Sequence, residues 1–416
     1  MIPQASKVAT LWMRHEGRGG TKGLKAGESQ QLERTMNSKR TSQPFLSSFV
    51  TLAFLFGAVV AFGAFGTSVD AQRFGGGVTM AGGNGLMYIG TYNGTIQIFD
   101  EATEKLVDEI KLQTGIPRSL TLSFDRKKFY VLDSTLEKIE TVDIATRKTL
   151  DTFTLSSGPT RARVRSMQVD PLQRFLILLT RSATKKSDRW EIGDVALQLY
   201  DLQEKKVTRD IPWPGGESRE NVNIRFSPDG KLLYFFGDDV LIVETEKFTE
   251  VDTWQLSRPI EQGLGRVNFG AVDDFNDDLG FFTGLFTMQD PVQNRRIMGI
   301  GRVDLVGKSV EFHPIGPSEG VGFAMSPDRK RAYGLFQQIG RYEFWAFDLD
   351  QKKLLNRAEF AGRPRMSLKV SSNGHLLYVF TAGATIDVYD AATYRHMRTI
   401  EMNADQTTNL YILPKT

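Results

Sequence analysis

At 416 residues, 40% apolar and 24% charged, the chain has ordinary globular composition and is long enough for one large all-β domain. It contains no cysteine, which excludes disulfides, thiolate metal sites, c-type haem attachment and lipidation of a mature N-terminal cysteine. The formal charge of +3 is carried by the first 71 residues, which hold eight Lys or Arg against four carboxylates. The remainder is slightly acidic, so the basic balance is no argument for nucleic-acid binding.

Taken in order, the first element is a targeting segment. Lys39 and Arg40 precede an apolar run over 45–65, and Val69-Asp70-Ala71 forms a small-x-small exit. A positive flank, an apolar core and such an exit predict a secretory signal over 36–71, opened by Met36 and cleaved after Ala71. Residues 1–35 are then an upstream extension read from too early a start, or disordered. The run is also long enough to serve as an uncleaved anchor. Either way the rest of the chain is expected to be exported, to a periplasmic or extracellular location.

After the leader one phrase recurs seven times: an alternating apolar run, an acidic turn, and a second alternating run. The turn acids are Asp100, Asp143, Asp201, Glu244, Asp304, Asp348 and Asp390, at spacings of 43, 58, 43, 60, 44 and 42. That period matches four-stranded propeller blades. A second phrase precedes the acidic turns, as in SFDRKKFYVL from Ser123, SPDGKLLYFF from Ser227, SPDRKRAYGL from Ser326 and SSNGHLLYVF from Ser371. Its Ser, Pro, Asp, Asn and Gly supply a tight reversal, and the aromatic and β-branched residues after it a strand. A looser copy, DDFNDDLGFF from Asp273, fills one slot. Each unit therefore reads as strand A, an S-P-D-G-like turn, strand B, a variable loop, strand C, the acidic turn, and strand D.

The first unit, around LMYIGTY from Leu86, lacks a strand A, whereas NLYILP follows the last strand D. Asn409 to Pro414 is expected to complete the first blade, closing the ring and removing its open edge. The predicted fold is an all-β, seven-bladed propeller of four-stranded antiparallel blades over 85–414.

The S-P-D-G-K-x-x-Y and I-D-V-Y-D-x-x-T phrases resemble the YVTN-type β-propeller repeat. A seven-unit exported array also resembles the quinoprotein amine dehydrogenase β-chain-like superfamily. The resemblance implies the fold over 85–414 and leaves the function open, since such propellers serve as subunits, binders and enzymes.

In up-and-down blades the D-to-A and B-to-C loops share one face of the disc. The extra length lies there, at 181–194, 257–266 and 285–296, which marks the binding face. Arginines collect in the D-to-A links of that face, among them Arg161 and Arg163. Those nearest the start of strand A, namely Arg118, Arg165, Arg266 and Arg365, are expected at the channel mouth. There they suit a carboxylate, a phosphate or an acidic protein patch. Trp190 and Tyr342, with Trp345, Arg189 and Arg341, stand in or beside B-to-C loops as a candidate contact patch.

The turn of the looser copy, from Asp273, offers Asp274, Asn276 and Asp278 at alternating positions, as a Ca²⁺ loop does, but lacks the glycine and distal glutamate of an EF-hand. No metal, cofactor or catalytic residue is otherwise predicted, because His313, His375 and His396 do not cluster and no nucleophile or Walker motif appears. The expected role is non-catalytic binding or scaffolding of a protein partner or anionic small ligand. The alternatives are the propeller subunit of an amine-dehydrogenase-like complex, whose partners carry quinone and haem, and a propeller lactonase-type hydrolase. The last needs a histidine at the channel mouth.

Overall fold

A computed structural model of the chain describes residues 80–415 except 261, 274, 339, 340, 363–365 and 382. The expected leader over 36–71 and its expected cleavage after Ala71 lie outside the described residues. Blade 1 takes β1 (Gly85–Thr91), β2 (Thr95–Asp100) and β3 (Lys105–Lys111). Blade 2 is β4 (Pro117–Leu122), β5 (Lys128–Asp133), β6 (Lys138–Asp143) and β7 (Lys148–Thr154). Blade 3 is β8 (Thr160–Val169), β9 (Phe175–Lys185), β10 (Trp190–Asp201) and β11 (Lys206–Ile211). Blade 4 is β12 (Asn223–Phe226), β13 (Leu232–Phe236), β14 (Val240–Glu244) and β15 (Glu250–Trp254). Blade 5 is β16 (Asn268–Asp273), β17 (Phe281–Asp290), β18 (Arg295–Asp304) and β19 (Ser309–Pro317). Blade 6 is β20 (Ala324–Met325), β21 (Arg331–Gln338), β22 (Arg341–Asp348) and β23 (Lys353–Phe360). Blade 7 is β24 (Met366–Val370), β25 (Leu376–Thr381), β26 (Thr385–Asp390) and β27 (His396–Glu401), and β28 (Tyr411–Pro414) returns to blade 1.

All seven sheets are antiparallel and four-stranded, and together they form a seven-bladed β-propeller. The third strand of every blade ends on a repeated acid, from Asp100 to Asp390. The reason is local. Asp100, Asp143, Asp348 and Asp390 each accept a backbone N–H from the residue three positions on, at 2.7–2.9 Å. That contact lets the chain reverse within the hairpin. In the A-to-B turns a serine hydroxyl donates to the Asp two residues on, as Ser227 to Asp229 (2.6 Å) and Ser326 to Asp328 (2.6 Å). The same hydroxyl accepts the N–H that opens strand B, from Leu232 and Arg331.

Closure is by strand pairing: Leu86 lies opposite Leu413, and Tyr88 opposite Tyr411. Among the described residues the core is divided among seven apolar clusters, one at each seam between consecutive blades, including the seam between blades 7 and 1. Seven blades with seven seams make a closed ring. The closing seam is further held by the buried carboxylate of Glu101 on blade 1, which accepts from Gly85 N–H (2.9 Å) and from Ser372 N–H of blade 7 (2.8 Å).

Candidate functional site

Blade height decides what is exposed. The first three strands of blade 3 run 10, 11 and 12 residues, whereas those of neighbouring blade 4 run only 4, 5 and 5. The seam between them is apolar where both are present, through Phe175, Ile177, Leu179 and Val195 of blade 3. Side chains alternate across a strand, so this face continues upward through Arg181, Ala183 and Lys185. Cross-strand register adds Arg163 opposite Arg181, Arg161 opposite Ala183, Ile192 opposite Ala183 and Trp190 opposite Lys185. Above the top of blade 4 this surface has no neighbouring sheet among the described residues. Trp190 is 51% and Ile192 59% exposed there.

The face is cationic as well as apolar. Arg181 donates to Glu220 in the link before β12 (2.7 Å), and Arg165 approaches the same carboxylate at 3.8 Å. Arg161 stands 3.7 Å from Glu137. Arg163, directly opposite Arg181, is exposed and has no ion pair among the described residues. Like charges placed opposite one another are unfavourable for the sheet, and at Arg181 this is offset by Glu220 and by the Gly193 carbonyl, which accepts its Nε–H (3.2 Å).

The structure also corrects the expected loops. Residues 181–194 are an extended β-hairpin, and most of 285–296 is likewise strand, in β17 and β18. Arg161, Arg163 and Arg165 lie within β8, not in a link, because the alternating sequence carries the strand beyond the ring. Of the four mouth arginines, Arg118 is exposed at a bulge in β4. Arg165 shares Glu220 with Arg181, Arg266 is ion-paired with Asp238, and Arg365 lies outside the described residues. None of these contacts joins two of the four. Tyr342 is half-buried beside Phe360 (ring centroids 6.2 Å apart). Trp345 is buried with its N–H on Glu343 (2.9 Å), and Arg341 is ion-paired with that same glutamate. A contact patch joining Trp190 to these two aromatics is therefore not what blade 6 presents. Arg181 was missed because only the strand register places it beside Arg163.

The central channel is a cavity of about 710 Å³ lined by the innermost strand of all seven blades, from Leu410 and Tyr411 round to Lys369. The A-to-B turn of blade 5 reaches across it. Phe275 carries the Lys369 ammonium 4.4 Å from its ring centroid, takes the Arg126 guanidinium both over its ring (4.5 Å) and on its carbonyl (2.7 Å), and lies 6.2 Å from the Tyr411 ring. Asp273 accepts Met325 N–H (2.9 Å) and faces Lys369 at 3.9 Å. One turn thus touches blades 1, 2, 6 and 7. Gly280 closes it at φ +82°, where a Cβ would press on Pro228 of blade 4.

Of the residues that suggested a Ca²⁺ loop, Asn276 donates to Met325 C=O (3.0 Å) and Asp278 is paired with Arg302 (3.1 Å) and Arg329 (2.5 Å). The Arg329 hydrogen bond, with Arg302, holds the Asp278 carboxyl below the usual carboxylate range. Asp274 lies outside the described residues.

No protein-family model and no curated protein matches the chain. Solved structures similar to it include the dihydro-heme d1 dehydrogenase NirN, at 12% identity over 79% of this chain and 75% of that one, with a TM-score of 0.46. Apo AztD from Citrobacter koseri is 13% identical over 79% and 98%, with a TM-score of 0.47. A functionally unknown protein from Desulfotomaculum acetoxidans is 13% identical over 80% and 100%, with a TM-score of 0.49. At these identities and scores the likeness says nothing of ligand or activity for this chain.

Proposed function

We propose that the chain is an exported, non-catalytic binding propeller that takes an anionic protein partner on the uncovered upper face of blade 3. The observation that carries this reading is the single surface formed by Arg161, Arg163, Arg181, Lys185, Trp190 and Ile192 above the top of blade 4. Guanidinium forks recognise carboxylates in a bidentate manner, and Trp and Arg dominate the energetics of protein interfaces. Glu220 and Glu137 answer only part of this positive charge within the chain.

The test is affinity capture from the native envelope extract, at low and high salt, with residues 72–416 and two variants, Trp190→Ala and Arg163→Glu/Arg181→Glu. The captured protein is then purified and titrated. Trp190→Ala should weaken binding about 30-fold, the factor that corresponds to a hot-spot loss of about 2 kcal/mol. The charge-reversed variant should abolish the salt-sensitive part of the affinity. Equal, salt-insensitive binding by all three forms would sink the reading.

A further inference from the structure

Blade 3 rises above its own outer strand as well as above its neighbour. Strand β11 pairs with β10 only from Leu197, opposite Ile211, downward. The backbone carbonyl next exposed on that edge, Val195, accepts the Trp213 indole N–H (3.1 Å). Beyond it, from Trp190 to Asp194, β10 has β9 on one side and, among the described residues, no strand on the other.

The direction of its backbone groups follows from the hairpin. Lys186 N–H donates to Arg189 C=O (2.8 Å), and Lys185 N–H turns the other way, to Pro159 C=O (3.0 Å). Hydrogen-bonded and non-hydrogen-bonded pairs alternate in an antiparallel ladder. The Trp190–Lys185 and Ile192–Ala183 pairs are therefore the non-bonded ones, and the N–H and C=O of Trp190 and Ile192 point to the open edge.

The inner edge of the same sheet is treated differently. Thr160 exchanges backbone bonds with Ser157 (2.9 and 3.0 Å), Ala162 N–H reaches Ser156 Oγ (3.0 Å), and Val164 N–H reaches Leu136 C=O (2.7 Å). One edge of the blade 3 extension is capped along its length by the chain itself. The other carries no strand among the described residues, its Gly193 carbonyl being taken by the Arg181 Nε–H (3.2 Å), and its alternate side chains are an exposed Trp and an exposed Ile.

We propose that the Trp190–Asp194 edge of β10 is a strand-addition site for an extended acidic segment of the partner protein. This rests on the reading of blade 3 as the binding face and adds the form of the ligand. A row of outward N–H and C=O groups is met most completely by another β-strand. A strand added there lies about 5 Å from β10 and about 10 Å from β9. Every second side chain of the guest then stands beside Trp190 and Ile192, within reach of Lys185 and Arg181. Apolar and carboxylate side chains at alternating spacing fit that side; on the opposite side Glu191 is already paired with Lys186 (3.3 Å) and Arg189 (3.0 Å).

The probe is the tightest dodecamer selected from a random displayed peptide library on residues 72–416, resynthesised and titrated by calorimetry. Two protein variants and one peptide series decide. Ile192→Pro removes an outward N–H without breaking the β9 ladder, a position where an edge strand tolerates proline, and should weaken binding at least tenfold at unchanged melting temperature. N-methylation of successive peptide amides should abolish binding at every second position, and this series alone decides if Ile192→Pro fails to fold. Arg163→Glu/Arg181→Glu tests the face itself.

Loss with the arginine variant, together with indifference to Ile192→Pro and no period of two in the N-methyl series, overturns strand addition and leaves the face. Indifference to all three overturns both. Failure to select any acidic peptide overturns strand addition. A concentration-dependent dimer of the unliganded chain that Ile192→Pro dissolves would assign the edge to a second copy and overturn the partner strand.

Discussion

Removing the closing strand is the sharpest test of how this ring is held. Truncation after Thr408 deletes Leu410, Ile412 and Leu413, all at most 5% exposed, and takes apolar contacts from the clusters on both flanks of blade 1. Full burial of one such side chain is worth about 1.5–3 kcal/mol, so the three together contribute roughly 5–9 kcal/mol. The whole domain is expected to have a stability of only about 5–15 kcal/mol. The truncated chain should therefore lose its cooperative transition, or melt at least about 10 °C lower, since each kcal/mol shifts a large domain by roughly 2–4 °C. Calorimetry with circular dichroism reads this directly. A synthetic peptide of residues 405–416 added in trans should restore part of the transition, because the vacated edge of β1 remains its template. A melting temperature unchanged by the truncation would refute closure by β28.

Three further outcomes follow from the geometry. Phe275→Ala should lower the melting temperature by several degrees, because a half-buried phenylalanine bracing three other blades is lost; an unchanged melt would mean that the channel turn braces nothing. At Glu244, burial acts to raise the carboxyl, but the N–H groups of Lys247, Thr249 and Glu246 and the Thr249 hydroxyl outweigh it and bring it down to about 2. A carboxyl lowered in the folded state stabilises above its unfolded value of 4.5 and ceases to do so as pH falls towards 2. The melting temperature should therefore drop through that window, and Glu244→Gln should flatten the drop; identical pH profiles would contradict this. Trp190→Ala and Ile192→Thr should leave the melt within about a degree, as exposed positions do, and a large loss would show that they pack in the folded chain.

What the sequence disclosed was whatever is written locally. Each acidic turn is made by a side chain bonding its own backbone within a few residues, as Asp390 does with Ala392 and Thr393, so its recurrence marks the third strand of each blade. Closure was legible because one unit lacked a strand and the C-terminus had one to spare. The site was less legible because its residues meet through register between strands. Arg163 and Arg181 are 18 positions apart, and only the pairing of β8 with β9 makes them opposite. Tyr342 and Trp345 read as loop aromatics, yet a propeller blade packs on both faces, so consecutive apolar side chains in β22 are core on either side. The blade 5 turn reads as an incomplete Ca²⁺ loop. Its reach to Arg126 and Lys369 depends on the curvature of the whole ring.

Seams between blades persist only over the height that both blades share, and this explains why the two faces of the disc differ. Blades 3 and 4 match in their lower halves, where Phe175, Leu179 and Val195 of the one meet Leu233 and Phe235 of the other. Above that level blade 3 continues alone, leaving a sheet face and a strand edge that no other blade covers. On the opposite side of the disc the longest turn, that of blade 5, is drawn inward, and its acids and Phe275 are taken up by Arg126, Arg302, Arg329 and Lys369. The cations near the channel thus meet carboxylates and an aromatic ring supplied by the chain itself, whereas those on upper blade 3 are only partly answered by Glu220 and Glu137. Perturbations should separate accordingly. Changes at the blade 5 turn should register as stability, and changes at Arg163, Arg181, Trp190 and Ile192 as affinity.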